Sequence, residues 1–287
     1  MRFCLILLFS LAGFSGAIAA KEDRLEAAKQ SIWQGKYQQA ILSLSDLQEY
    51  QPSLLEAEAR LIRYSIGFSN NADDELDKAQ LAALRALSLR PEAAQPRYSL
   101  IAVIGYRARS KSLFTGLRKR WASKGRKLID ETLTLAPDNP WSHAMSGNWN
   151  LEILRRTSKR RAKLVGASIK GALDGCARAL ELAPDNTHIS AQCGLALLAV
   201  DDPALDALGL RALEMAAKAV PTNDAFTCLR QQQAAKILEL RNNGQERAAR
   251  KLIKSILLAK EVTDWPRQCE RSNRSVSDQA FDQDIQD

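Results

Sequence analysis

The chain has 287 residues, 46% of them apolar and 26% charged, with a formal net charge of +8 at pH 7. That length supports a substantial buried core, and the apolar content is too high for a chain disordered throughout. Only two histidines occur, His143 and His188, and neither has the His or Cys spacing of a zinc site.

The first 20 residues, MRFCLILLFSLAGFSGAIAA, carry one basic residue at Arg2, an apolar stretch from Phe3, and Ala17 and Ala19 in an A-x-A pattern. This segment (1–20) reads as a secretory signal peptide, with an uncleaved anchor as the alternative. Cys4 lies at the very start of the apolar stretch, far ahead of the A-x-A pattern, so it is not placed to become a lipidated first residue after cleavage. The expectation is an exported, periplasmic protein with a helical domain over 21–260 and a polar, acidic, largely disordered tail over 261–287. An oxidising compartment would let Cys176, Cys193, Cys228 and Cys269 form two disulfides, Cys176 with Cys193 and Cys228 with Cys269 being the preferred pairing. Reduced core thiols at Cys176 and Cys193 are the other reading.

Beyond the leader the sequence is periodic. Take the prolines at 52, 91, 137, 184 and 221 as marks. Twelve residues before them stand Ala40, Ala79, Gly125, Ala172 and Gly209; eight before, Leu44, Ala83, Ile129, Cys176 and Leu213; five before, Leu47, Ala86, Thr132, Ala179 and Ala216. Steps of four and three place each triplet on one helix face, so every block is expected to end in a helix with a small, closely packed stripe, stopped by proline. Upstream lies a second amphipathic stretch, for example Ile189, Cys193, Ala196 and Val200. The unit is thus a pair of antiparallel helices. The phrases LAPDNP (135–140) and LAPDNT (182–187) mark unit ends, with Asp and Asn suited to cap the next helix.

The stretch GKYQQA (35–40), followed by Leu44, Leu47 and Pro52, resembles the second-helix signature of tetratricopeptide repeats, and GQERAA (244–249) keeps Gly244, Glu246 and Ala249 at the same spacing. The unit over 139–186 is similar to divergent repeats of bacterial exported proteins grouped with the TRAP-transporter T component, and more loosely to the regulators of microtubule dynamics. These resemblances imply an all-α fold, a right-handed α-solenoid of about six antiparallel helix pairs over residues 22–260, with no catalytic residues to carry over. They also imply a concave groove lined by first helices that holds a protein or peptide. The gaps between marks are 39, 46, 47 and 37 residues, longer than the roughly 34 of a standard repeat. Two central pairs therefore carry insertions.

Those insertions hold the cations. Ten Lys or Arg and no acid fall within residues 93–129, and seven more with no acid within 153–173, together 17 of the 41 basic residues. Both runs are expected between the first and second helix of their pair, at one edge of the array. Arg118, Lys119, Arg120, Lys124, Arg126, Lys127, Arg155, Arg156, Lys159, Arg160, Arg161 and Lys163 are the candidates for an anionic partner, a membrane or an envelope polymer; a solvated polar loop is the other reading. Leu113, Phe114, Leu117 and Trp121 are expected to pack on the core, although they would also suit an interfacial face. Phe114 and Trp121 alone are too few for a base-stacking platform, so no nucleic acid is expected.

In the first helix of the fourth unit, Trp141, Met145 and Trp149 share one stripe and Asn148, Glu152 and Arg156 another. The latter three are groove candidates for a peptide backbone or carboxylate, or else Glu152 and Arg156 form an ordinary solvated i, i+4 pair. There is no G-x-S-x-G, phosphate-cradling glycine loop or H-E-x-x-H, so no enzyme, metal or cofactor is expected. Asp73 with Asp74, and Asp201 with Asp202, read as helix-start acids rather than catalytic pairs.

Overall fold

The computed structural model describes residues 9–67, 71–220 and 224–260. Among them are fourteen α-helices and no strand: α1 (Phe9–Trp33), α2 (Tyr37–Leu44), α3 (Tyr50–Ser65), α4 (Ala72–Leu89), α5 (Gln95–Ser110), α6 (Leu113–Arg118), α7 (Trp121–Leu135), α8 (Pro140–Arg156), α9 (Lys159–Leu164), α10 (Ile169–Leu182), α11 (Thr187–Leu198), α12 (Pro203–Lys218), α13 (Ala225–Asn242) and α14 (Glu246–Leu257). The expected tail, Cys269 and residues 1–8 of the expected leader lie outside the described residues. The α1 backbone runs unbroken through residue 20, and no described helix is long and apolar enough to cross a membrane.

Apart from the six-residue α6 and α9, the helices pack two by two: α1 on α2, α3 on α4, α5 on α7, α8 on α10, α11 on α12 and α13 on α14. The reason lies in the three sequence columns. All fifteen of their residues, from Ala40 to Ala216, are buried. Small side chains there let the partner helix approach closely. The approach is tightest where α8 crosses α10, since a Cβ built on Gly175 would lie 2.6 Å from the Gly147 amide nitrogen and 2.9 Å from the His143 carbonyl oxygen.

Helix ends follow local chemistry. Asn139 and Asn186, the last residues of the two LAPDN phrases, cap α8 and α11 by accepting from the amides of Trp141 and Ile189 at 2.9 and 3.0 Å. Asp202 caps α12 in the same way, and Asp73 and Asp74 lie in the first turn of α4. One expectation fails. Pro52 does not terminate a helix: α2 has already ended at Leu44, and Pro52 occupies the first turn of α3. Its missing N–H is not needed there, because the first turn has no intrahelical acceptor to meet.

The first members of the pairs touch in series, α1 to α3, α5, α8, α11 and α13, and α13 touches α1 again. Tyr37, Ile66 and Leu229 close this return in one apolar cluster with Ile32, Ile62 and Phe226. Ala259, just after α14, packs with Tyr64 and Tyr106. A buried ion network ties α3 to α4: Arg60 bonds Glu56 at 2.9 Å, Arg63 bonds Glu75 at 2.9 Å, and Arg60 also reaches Glu75.

The glycine contacts give a paired expectation. Gly175→Ala forces backbone against backbone and lowers stability by about 1–3 kcal/mol, whereas Gly105, with nothing within 4 Å of a built Cβ, gains up to about 1 kcal/mol on Gly→Ala from helix propensity. Urea denaturation of the two variants checks both signs.

Candidate functional site

The two basic insertions fold alike. Ser112 opens α6 by accepting from the Thr115 amide, and Ser158 opens α9 by accepting from the Arg161 amide. Both short helices stand between the first and second member of a pair, α5 to α7 and α8 to α10. The Trp121 ring lies under α6, 3.4 Å from a Cβ built on Gly116. Arg120 then turns the chain into α7 with φ of 56°, a left-handed conformation that costs a non-glycine residue about 1–2 kcal/mol. Ala162 is fully buried and pins α9. Val165, just past α9, lines an open groove of about 760 Å³ with Ala122, Ser123, Arg126, Lys127 and Trp149. The two insertions therefore share one edge.

Side-chain partners divide the cations of this edge. Of the 17 in the two runs, nine are ion-paired: Arg97, Arg107, Arg109, Lys111, Arg126, Arg155, Arg156, Lys159 and Lys170. Arg118, Lys119, Arg120, Lys124, Lys127, Arg160, Arg161 and Lys163 are exposed and have no carboxylate partner among the described residues. Four expected anion contacts are therefore committed within the fold. Arg126 pairs with Asp130 at 2.8 Å and lies over the Trp149 ring. Lys159 reaches Asp202 at 2.6 Å, while Arg155 and Arg156 turn inward.

The apolar residues of the first insertion also depart from expectation. Leu113, Phe114 and Leu117 do not pack on the core; Phe114 is 74% and Leu117 66% exposed, and α6 has no buried residue. Trp121 alone packs down. A six-residue helix held by one ring at Gly116 has a single supported side; Leu113, three residues before Gly116, stands beside it, and Phe114 and Leu117 fall away from it. The second insertion adds Leu164, 83% exposed, and Val165. Of the twelve exposed large apolar residues among the described residues, five belong to these two short segments. Sequence reasoning passed over Leu164 and Val165, although an apolar pair directly after SKRRAK and before Gly166 was a readable signal.

Of the groove candidates on α8, Glu152 and Arg156 are engaged by partners within the fold. Glu152 is no solvated i, i+4 partner: it accepts from Arg109 at 3.1 Å and Arg155 at 2.6 Å and lies 3.8 Å from Arg156. Arg156 donates to the Lys111 carbonyl at 2.9 Å, tying α8 to the start of the first insertion. Asn148 is buried, and its side-chain oxygen has no donor among the described residues. Trp141 and Trp149 pack against the core, with the Trp149 indole donating to the Ala122 carbonyl at 3.0 Å. His143 bonds the Pro137 carbonyl at 2.7 Å. It lies nine residues before Glu152 on one helix, on the opposite face and about 13 Å along the axis, so the two do not converge.

His188 bonds Thr227 at 2.8 Å and stacks on Phe226. Burial opposes ionisation of Asp224, but hydrogen bonds from His188 and Thr227 outweigh it and hold the carboxyl below its ordinary range. Asp224 also caps α13. Among the described residues no three His, Cys, Asp or Glu cluster as metal ligands would.

Cys176 and Cys193 are both free and fully buried, so the preferred disulfide between them is not formed. Instead they share a hydrogen bond in the apolar core. That bond, followed by burial, raises the Cys176 thiol well above its usual range. Cys228 is disulfide-bonded; its expected partner, Cys269, lies outside the described residues.

Neither the protein-family models nor the curated proteins gave a match to this chain.

Two measurements follow from these contacts. Glu152→Gln leaves three clustered guanidinium groups without a counter-charge and lowers stability by about 3 kcal/mol, whereas Asp130→Asn, at an exposed pair, costs under about 1 kcal/mol; chemical denaturation compares them. Cys176 and Cys193 should resist alkylation near pH 8 in the folded protein and react once urea unfolds it, as read by mass spectrometry.

Proposed function

We propose that this chain is a non-catalytic helical-repeat scaffold that attaches to an anionic surface of the cell envelope through the edge formed by α6 and α9. The observation that carries the reading is the set of eight exposed, unpaired cations on that edge. The two runs that hold them, 93–129 and 153–173, contain no Asp or Glu. The edge therefore carries a dense local excess of positive charge, which attracts anions at a distance of about one Debye length, 8–10 Å. The tetratricopeptide reading draws support from six successive helix pairs, their buried small-residue columns and the two outward insertions. Within it we read the array as a right-handed solenoid. Export to the periplasm is supported by the signal-peptide character of residues 1–20.

A protein or peptide held on the inner face is the second reading. It rests on the unsatisfied side-chain oxygen of Asn148, which would take an N–H from a bound backbone. It has less support, because Glu152 and Arg156 already serve the fold.

Binding to a soluble polyanion such as polyphosphate tests the electrostatic reading. Neutralising Arg118, Lys119 and Arg120 together should weaken it by about 3 kcal/mol at low salt, at roughly 1 kcal/mol per cation, while Lys159→Gln, already paired with Asp202, should change it little. Unchanged binding by the triple variant would overturn the reading. A single stoichiometric protein recovered after crosslinking, insensitive to the triple variant, would favour the second.

A further inference from the structure

We infer that the anionic surface is a phospholipid bilayer, and that Leu113, Phe114 and Leu117 of α6, with Leu164 at the end of α9 and Val165 just after it, enter its interfacial region. This rests on the electrostatic reading above and deepens it by naming the partner.

Five apolar side chains on or next to the two short outward helices are 38% to 83% exposed. In α6 they stand at i, i+1 and i+4 and share one side of the helix, with Phe114 and Leu117 turned from the Trp121 ring that meets Gly116. A soluble anionic polymer offers such residues nothing, because it presents charge without an apolar phase. A bilayer of anionic lipid offers both: headgroup phosphates for the cations, and the acyl boundary a few ångströms deeper for the apolar tips.

The arrangement of the cations agrees. Arg118, Lys119 and Arg120 directly follow Leu117, and Arg160, Arg161 and Lys163 directly precede Leu164. All six are exposed and unpaired among the described residues. Long basic side chains flanking apolar anchors keep their charged ends at headgroup level while their stems lie along the apolar boundary. Two anchored insertions sharing one edge, as the groove between Val165 and α7 requires, supply the two combined signals that reversible membrane attachment needs. Neither insertion alone carries enough apolar area to hold the protein there.

The experiment compares the full chain with the variant Phe114→Ser, Leu117→Ser, Leu164→Ser, whose three sites are exposed enough to leave the fold intact, as circular dichroism checks. Sedimentation with phosphatidylcholine vesicles, with and without phosphatidylglycerol, is measured beside polyphosphate binding. The unmodified protein should bind vesicles only when phosphatidylglycerol is present and retain part of that binding at about 0.5 M salt, where surface charges are largely screened. The serine variant should lose vesicle affinity by at least about tenfold while keeping its polyphosphate affinity. Vesicle binding by the serine variant equal to that of the unmodified protein overturns the insertion and leaves the electrostatic reading standing. Polyphosphate binding without vesicle binding does the same. Binding to neither removes both. If the unmodified protein self-associates and the serine variant does not, the tips are a protein interface and the bilayer assignment falls.

Discussion

The backbone contact between α8 and α10 at Gly147 and Gly175 sets a condition that the rest of the molecule obeys. When two helices approach until a Cβ would meet main chain at 2.6 Å, no side chain can fit between them. The same condition, relaxed to alanine or threonine size, holds in other pairs, where Ala40, Ala79, Ala83, Thr132 and Ala212 are all fully buried. Helices packed this closely leave no interior room for extra chain. The additional residues of the third and fourth units therefore emerge between paired helices, as α6 and α9. Their exposure is a consequence of tight packing elsewhere.

That exclusion also sorts the charges. Arg109, Arg155 and Arg156 sit in the last turns of α5 and α8, close enough for all three to share Glu152. Arg97 reaches Glu131 of α7 at 2.8 Å, and Arg107 reaches Asp77 of α4. Cations within the long helices find acids on neighbouring helices, because adjacent repeats bring them within side-chain reach. Those in α6, in α9 and at the start of α7 extend beyond that reach and stay unpaired, apart from Lys159 and Arg126. One basic run thus serves two purposes, internal bracing at its root and free charge at its tip.

Much of this was legible in the sequence. The fifteen column residues are all buried, and both LAPDN phrases end in working N-caps. Such features depend on local periodicity, which a sequence states directly. What escaped depends on distant partners. Glu152 and Arg156 carry the spacing of a solvated pair, and only the approach of Arg109 from α5 makes them a buried knot. Leu113, Phe114 and Leu117 have a spacing that suits burial or exposure equally, because six residues are too few for periodicity to choose a face. The return of α13 to α1 through Leu229, Tyr37 and Ile66 joins residues nearly 200 apart and has no local signature. Pro52 misled because proline stops one helix and starts another with equal ease.

The gathering of eight unpaired cations on one edge bears on how the protein meets a surface. A body with one dense basic edge is both attracted and oriented by an anionic plane, because that edge is drawn to the plane most strongly. Orientation of this kind precedes contact and needs no shape complementarity. It brings Phe114 and Leu164 to the plane first, before their own short-range burial acts, so electrostatics selects the pose and the apolar tips fix its depth. The strained left-handed turn at Arg120 fits the same order of events, since it is the bend that joins α6 to α7. A glycine would hold that bend with less strain, but it would remove one of the eight charges at the point where the edge projects.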